Sequence, residues 1–139
     1  MRVCLLSSGS KGNSCLVETK ETKILIDLGT TCQYVCNELD KLGINPRDID
    51  AILITHTHAD HINGIKSFIR KYHTKIYVTD VLKELLENEI GPFDFELYED
   101  KKATIKDLTI NYIKTSHDAK GSIGFILNEG DKSMVYITD

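Results

Sequence analysis

The 139-residue chain lacks several features that would each have named a class of protein. No apolar run comes near the ~20 residues that cross a bilayer, which excludes a membrane-spanning helix from the reading. At the start, Arg2 precedes an apolar stretch too short for a secretory signal, so a cytoplasmic protein is expected. The four cysteines, Cys4, Cys15, Cys32 and Cys36, form no C-x-x-C pair. Reduced thiols packed as small apolar groups are expected, not a disulfide framework. An excess of basic charge is also missing. With 17 Lys and Arg against 21 Asp and Glu, the formal net charge is −4. That argues against a surface that coats nucleic acid broadly. It leaves phosphodiester chemistry open, because bound divalent cations supply strong local positive charge. There is no G-x-S-x-G nucleophile elbow. The loop Ser7-Ser8-Gly9-Ser10-Lys11-Gly12-Asn13-Ser14 lacks Walker spacing, since only two residues separate Gly9 from Gly12. It reads either as a backbone cradle for phosphate or as a structural turn. No repeat, low-complexity tract or linker divides residues 1–139, so one domain is expected.

What the chain does have is histidine in one place. Thr55-His56-Thr57-His58-Ala59-Asp60-His61 holds three of its five histidines and a carboxylate. Neutral imidazole and carboxylate are preferred ligands of zinc and of similar divalent metals. In extended chain, residues two apart point the same way, so His56 and His58 can grip one ion as a pair. Asp60 and His61 follow where the chain turns and can reach a second ion. The bland alternative, a polar loop that happens to be rich in histidine, is far rarer than this pattern requires.

The flanking pattern places that motif on a strand-to-helix loop. Ile49 to Ile54 reads as a short buried strand. Ile62, Ile65, Phe68, Ile69 and Tyr72 then recur at helical spacing, which puts Asp60 near a helix N-terminus. The basic residues Lys66, Arg70, Lys71 and Lys75 read as a solvated face, and His73 as a surface histidine. Before the motif, Val3 to Leu6 reads as a strand, and Cys15 to Glu18 with Lys23 to Asp27 as a hairpin across Thr19 to Thr22. Gln33 to Leu42 reads as a helix with Val35, Leu39 and Leu42 on one face and Gly43 as its stop. Lys75 to Thr79 is a strand, with Asp80 as N-cap of a helix through Leu86 that ends at Gly91-Pro92. From Glu96 onward the text is strand-like throughout. Strands at both ends with helices between predict an α/β chain of the α+β kind, with a sheet-on-sheet core and helices on an outer face. A doubly wound parallel sheet is the alternative.

Two later segments complete the set. Ser116-His117-Asp118-Ala119 follows one strand, and Val135-Tyr136-Ile137-Thr138-Asp139 ends another on a carboxylate. With these, the chain resembles the metallo-beta-lactamase superfamily, whose fold is an αββα sandwich with metals at one end of its two sheets. The resemblance implies that His56, His58 and His117 hold a first metal. Asp60 and His61 hold a second, and Asp139 bridges both. Ile24-Leu25-Ile26-Asp27-Leu28-Gly29 resembles the family's strand-end Asp-x-Gly. Asp27 would then support the metal loop without touching metal, with Gly29 letting the chain turn sharply. The opening S-S-G-S-K-G-N-S, the R-K-Y after the motif helix, S-H-D-A and the closing I-T-D are similar to the YycJ-type (WalJ-type) exonucleases. Family members continue past the aspartate that matches Asp139, so an N-terminal portion of that fold, truncated after the Asp139 strand, is expected.

The resemblance implies a dinuclear hydrolase in which a hydroxide held between the ions attacks, with Asp60 orienting the water. DNA, or another phosphodiester, is the implied substrate. Zinc is the first expectation for the two ions, with manganese or iron as alternatives. Rival readings are another hydrolase of the same fold (a glyoxalase II-like thioesterase, a lactonase or a ribonuclease) and a metal-binding fragment without catalysis. Ile123, Phe125, Val135 and Ile137 are expected to lack a cover, which would favour a homodimer.

Overall fold

The structure is a computed structural model and describes residues 1–115 and 119–138. Apolar, β-branched runs open the chain as β1 (Arg2–Ser7), β2 (Ser14–Glu18) and β3 (Lys23–Ile26). β1 pairs antiparallel with β2, and β2 with β3. Helical crossovers then take over. α1 (Cys32–Lys41) starts on Thr31, whose hydroxyl accepts the Tyr34 N–H, and it buries Val35 and Leu39. β4 (Ala51–Leu53) returns parallel to β3. It is shorter than the apolar run Ile49 to Ile54 because the Thr55 N–H turns out of the ladder and donates to the Asp27 side chain.

One helix was expected after the histidine motif, and two are found: α2 (Ala59–Ile62) and α3 (Ile65–Tyr72). The break falls at Asn63 and Gly64. Gly64 donates its N–H to Leu28 O at 2.9 Å, and a Cβ there would lie 2.2 Å from Thr30 O. A tertiary contact therefore interrupts a pattern that reads as continuous. β5 (Lys75–Val78), α4 (Asp80–Ile90) and β6 (Phe95–Leu97) complete the parallel run. Thr79, not Asp80, caps α4: its hydroxyl accepts the Leu82 N–H at 3.2 Å. Asp80 is the first helical residue, where its charge still suits the helix N-terminus.

The first sheet thus runs β1-β2-β3-β4-β5-β6. β7 (Lys102–Ile105), β8 (Leu108–Lys114), β9 (Ile123–Glu129) and β10 (Lys132–Tyr136) form a second, antiparallel sheet ordered β10-β9-β8-β7. Two separate sheets rule out the doubly wound alternative and give the mixed α/β sandwich. The sheets meet through Tyr77, Tyr98 and Tyr112, whose rings are successive neighbours at 5.9 and 5.0 Å. α1, α3 and α4 lie in the parallel crossovers, which by the usual right-handed rule stack them on one face of the first sheet, with α1 against β1 and α3, and α4 against β5. Among the described residues, no helix covers the outer face of the second.

That asymmetry corrects one expectation. Ile123 and Phe125 are buried, because they face inward on β9, between β8 and β10. Val135 and Ile137, pointing outward, are each 58% exposed. Cys15 is buried, and all four cysteines are free thiols. Burial pushes the Cys15 thiol up to about 12, which makes it inert at neutral pH. No helix of the described residues is long and apolar enough to cross a membrane.

Candidate metal centre

The site starts at the end of β3. Asp27 takes a left-handed backbone, φ 62°, and its N–H donates to Leu53 O at 2.8 Å. Such a conformation is uncommon outside glycine, and aspartate tolerates it better than most residues. The sharp turn expected of Gly29 is therefore made at Asp27 itself. Gly29 serves a different end. A Cβ there would stand 1.7 Å from Asp60 O and 2.7 Å from Asn13 N. Only hydrogen fits between three converging segments. Asn13 N–H donates to Asp60 O (2.7 Å), Gly29 N–H to Asn13 O (2.9 Å), and Leu28 N–H to His61 O (2.9 Å).

Inside this knot the Asp27 carboxylate is fully buried and receives three contacts. The Thr55 N–H donates to Oδ1 at 2.8 Å, the Thr55 hydroxyl to Oδ2 at 2.6 Å, and His61 Nδ1 lies 2.6 Å from Oδ2. Burial pushes the Asp27 carboxyl above its ordinary range, and the bonds from His61 and Thr55 oppose that push. The Thr55 hydroxyl has one proton, and Asp27 takes it. Toward His56 Nδ1, 3.1 Å away, the Thr55 oxygen is then an acceptor. Both His56 and His61 thereby carry their proton on Nδ1, which makes each Nε2 an electron-pair donor. Outer partners of ligating histidines commonly act in this way.

The rings gather at one place. His56 and His61 centroids are 3.9 Å apart, and His56 and His58 centroids 4.8 Å apart, edge to face. His56 and His61 are buried, while His58, the N-cap of α2, is exposed. His61 Nε2 lies 3.8 Å from Asp60 Oδ2. Imidazole and carboxylate donors of this kind suit a zinc-like divalent cation. Among the described residues, no three His, Cys, Asp or Glu form one ion-holding group. His117 and Asp139, the two remaining expected ligands, lie outside the described residues. His73 is the left-handed C-cap of α3 and takes no part.

Two residues at the centre escaped the sequence reading. Thr55 stood inside the motif without a role, and Asn13 stood in the small-residue loop. The Asn13 side-chain nitrogen lies 3.2 Å from both Asp60 O and Asp60 Oδ2, within donating distance of each, and 3.3 Å from His61 Nε2. Beside the centre a cleft of about 600 Å³ opens between the start of α4 and the β8–β9 connection. Tyr112, Lys114, Thr115, Lys120, Ser122 and Ile123 line it, along with the first residues of α4. The Ile123 N–H donates to Thr55 O at 2.9 Å, which ties the cleft wall to the motif loop.

Comparison with known proteins agrees with this fold. The Metallo-beta-lactamase superfamily profile matches residues 8–137. Exodeoxyribonuclease WalJ of Streptococcus pneumoniae serotype 2 is 36% identical over 97% of the chain and 52% of its own length. Exodeoxyribonuclease YycJ of Bacillus anthracis is 30% identical over 97% of the chain and 53% of its own length. A mutant form of a metallo-beta-lactamase from Cronobacter sakazakii superposes with TM-score 0.81 at 21% identity, over 97% of this chain and 60% of that one. The chain spans about half the length of the curated relatives it matches. It belongs to the metallo-beta-lactamase superfamily.

Proposed function

We propose that this member of the metallo-beta-lactamase superfamily is a metal-dependent hydrolase of phosphodiester bonds in DNA. The observation that carries the reading is the Asp27–Thr55 array, which sets the proton of His56 and His61 on Nδ1 and presents Nε2 as the donor atom. His56, His58 and His117 would hold one divalent cation, Asp60 and His61 a second, with Asp139 between them. Zinc is the first choice for this donor set, and manganese or iron also suits it. Such cations supply Lewis acidity toward a phosphoryl oxygen and acidify a water. Asp60 orients the attacking water, Asp27 keeps the His61 proton on Nδ1, and Thr55 does the same for His56. Lys114 and Lys120 line the cleft and suit a phosphate chain better than a thioester or a lactone, in a protein whose net charge is −4 overall. The names of the WalJ and YycJ relatives support DNA as the substrate.

The test has two arms. Elemental analysis of the untagged chain should find divalent metal that His58→Ala mostly removes; unchanged stoichiometry overturns the ligand assignment. The metal-loaded chain is then offered 5′-phosphorylated DNA, RNA and a thioester. Preference for DNA is expected. Turnover of the thioester alone would move the reading to a different hydrolase of the fold, and metal binding without turnover to a binding module.

A further inference from the structure

We propose that Asn13 is a positioning residue that sets the Asp60 carboxylate for the metal centre, a role that rests on the metal reading above. The loop between β1 and β2 was open to two readings, a phosphate cradle or a structural turn. Its asparagine does not face outward as a cradle would. The amide nitrogen lies 3.2 Å from Asp60 Oδ2 and 3.3 Å from His61 Nε2, two groups themselves 3.8 Å apart. An N–H donor between a carboxylate and an imidazole electron pair holds them as a small positive charge would. When a cation takes Nε2, the bond to Asp60 Oδ2 can persist and fix which carboxylate oxygen turns to the metal. Asp60 needs such a partner, because its side chain is 36% exposed and sits in the first turn of a four-residue helix. A ligating carboxylate is commonly fixed by a hydrogen bond of this sort.

The side chain is itself held from behind. Asn13 Oδ1 accepts the Gly9 N–H at 3.2 Å, and Nδ2 donates one of its two protons to Gly9 O at 3.1 Å, which leaves the other for Asp60. The main-chain bonds from Asn13 N–H to Asp60 O and from Gly29 N–H to Asn13 O use no side-chain atom. Truncating the side chain leaves these main-chain bonds in place and removes the contacts to Asp60, His61 and Gly9. A melting point measured beside the affinity separates positioning from folding.

The experiment is a double-mutant cycle on the 139-residue chain, read by calorimetric titration with Mn²⁺ and with Zn²⁺. Asn13→Ala should weaken the weaker of the two binding events about 10-fold, within the 10–100-fold range of such outer contacts, and spare the stronger. In the Asp60→Ala background the same change should have no further effect. Asn13→Asp, equal in size but without the donor, should not restore affinity. In the metal-free protein, the side-chain amide ¹H–¹⁵N signals of Asn13 should move when Asp60 becomes Ala. Additive losses in the double variant, an unmoved amide signal, or a lowered melting point with unchanged affinity would each overturn the proposal. An unsubstituted chain that takes up no cation overturns the metal reading instead. The amide signal then still decides whether Asn13 sets Asp60.

Discussion

Thr55 shows how much of this centre depends on one proton. Its hydroxyl gives that proton to Asp27 and, as an acceptor, fixes His56 in the matching tautomer. Thr55→Val keeps the shape and removes both bonds inside a buried site. The expected cost is about 1–3 kcal/mol of stability, for groups left without partners. Metal affinity should fall about 10–100-fold with it. Denaturant unfolding and metal titration measure the two, and Thr55→Ser should restore both. Unchanged affinity in the valine variant would remove the tautomer argument. The sequence made the ligand candidates legible because histidine and aspartate at that spacing are themselves the signal. It could not show the work of Thr55 and Asn13. Those roles exist only through Asp27, 28 residues from Thr55, and Asp60, 47 residues from Asn13.

Between elements, the two sheets are clasped at the turns. Asp107, in the β7–β8 turn, accepts the Thr19 hydroxyl at 2.5 Å, the Thr22 hydroxyl at 2.6 Å and the Glu21 N–H at 3.1 Å, all from the β2–β3 turn. The Thr19 and Thr22 hydroxyls hold its carboxyl below the usual carboxylate range. On acidification the unfolded chain takes this proton first, so the folded state loses support. The stabilisation is complete above pH ~5 and is lost as pH falls through the lowered value. The melting-point gap between wild type and Asp107→Asn should therefore be widest near neutrality and close in acid. A gap independent of pH would show that the clasp is not ionic. Element types were readable because alternation and 3.6-residue spacing are local. The junctions were not. Gly64 ends a helix because Thr30 O lies against it, and Thr79 displaces Asp80 as cap because its hydroxyl reaches the Leu82 N–H.

At the scale of the whole molecule, cover among the described residues is one-sided. Helices shield the first sheet, while Val135 and Ile137 stand exposed on the outer face of the second, near the open edge of β10. Exposed apolar side chains beside an edge strand of the described sheet favour association. Light scattering should return a mass above the 15.7 kDa of one chain, and Val135→Lys with Ile137→Lys should lower it. A clean monomer before substitution would set this aside. The spread of the site along the chain also has a kinetic consequence. The bonds that build it span 28, 34 and 47 residues. Closures of that length form late, after the local hairpins. In the unfolded chain a cation meets only the unorganised histidines of the 56–61 stretch, so it should act chiefly as a brake on the way out and little as a seed on the way in. The unfolding arm of the chevron should slow when metal is added, and the folding arm should stay where it was.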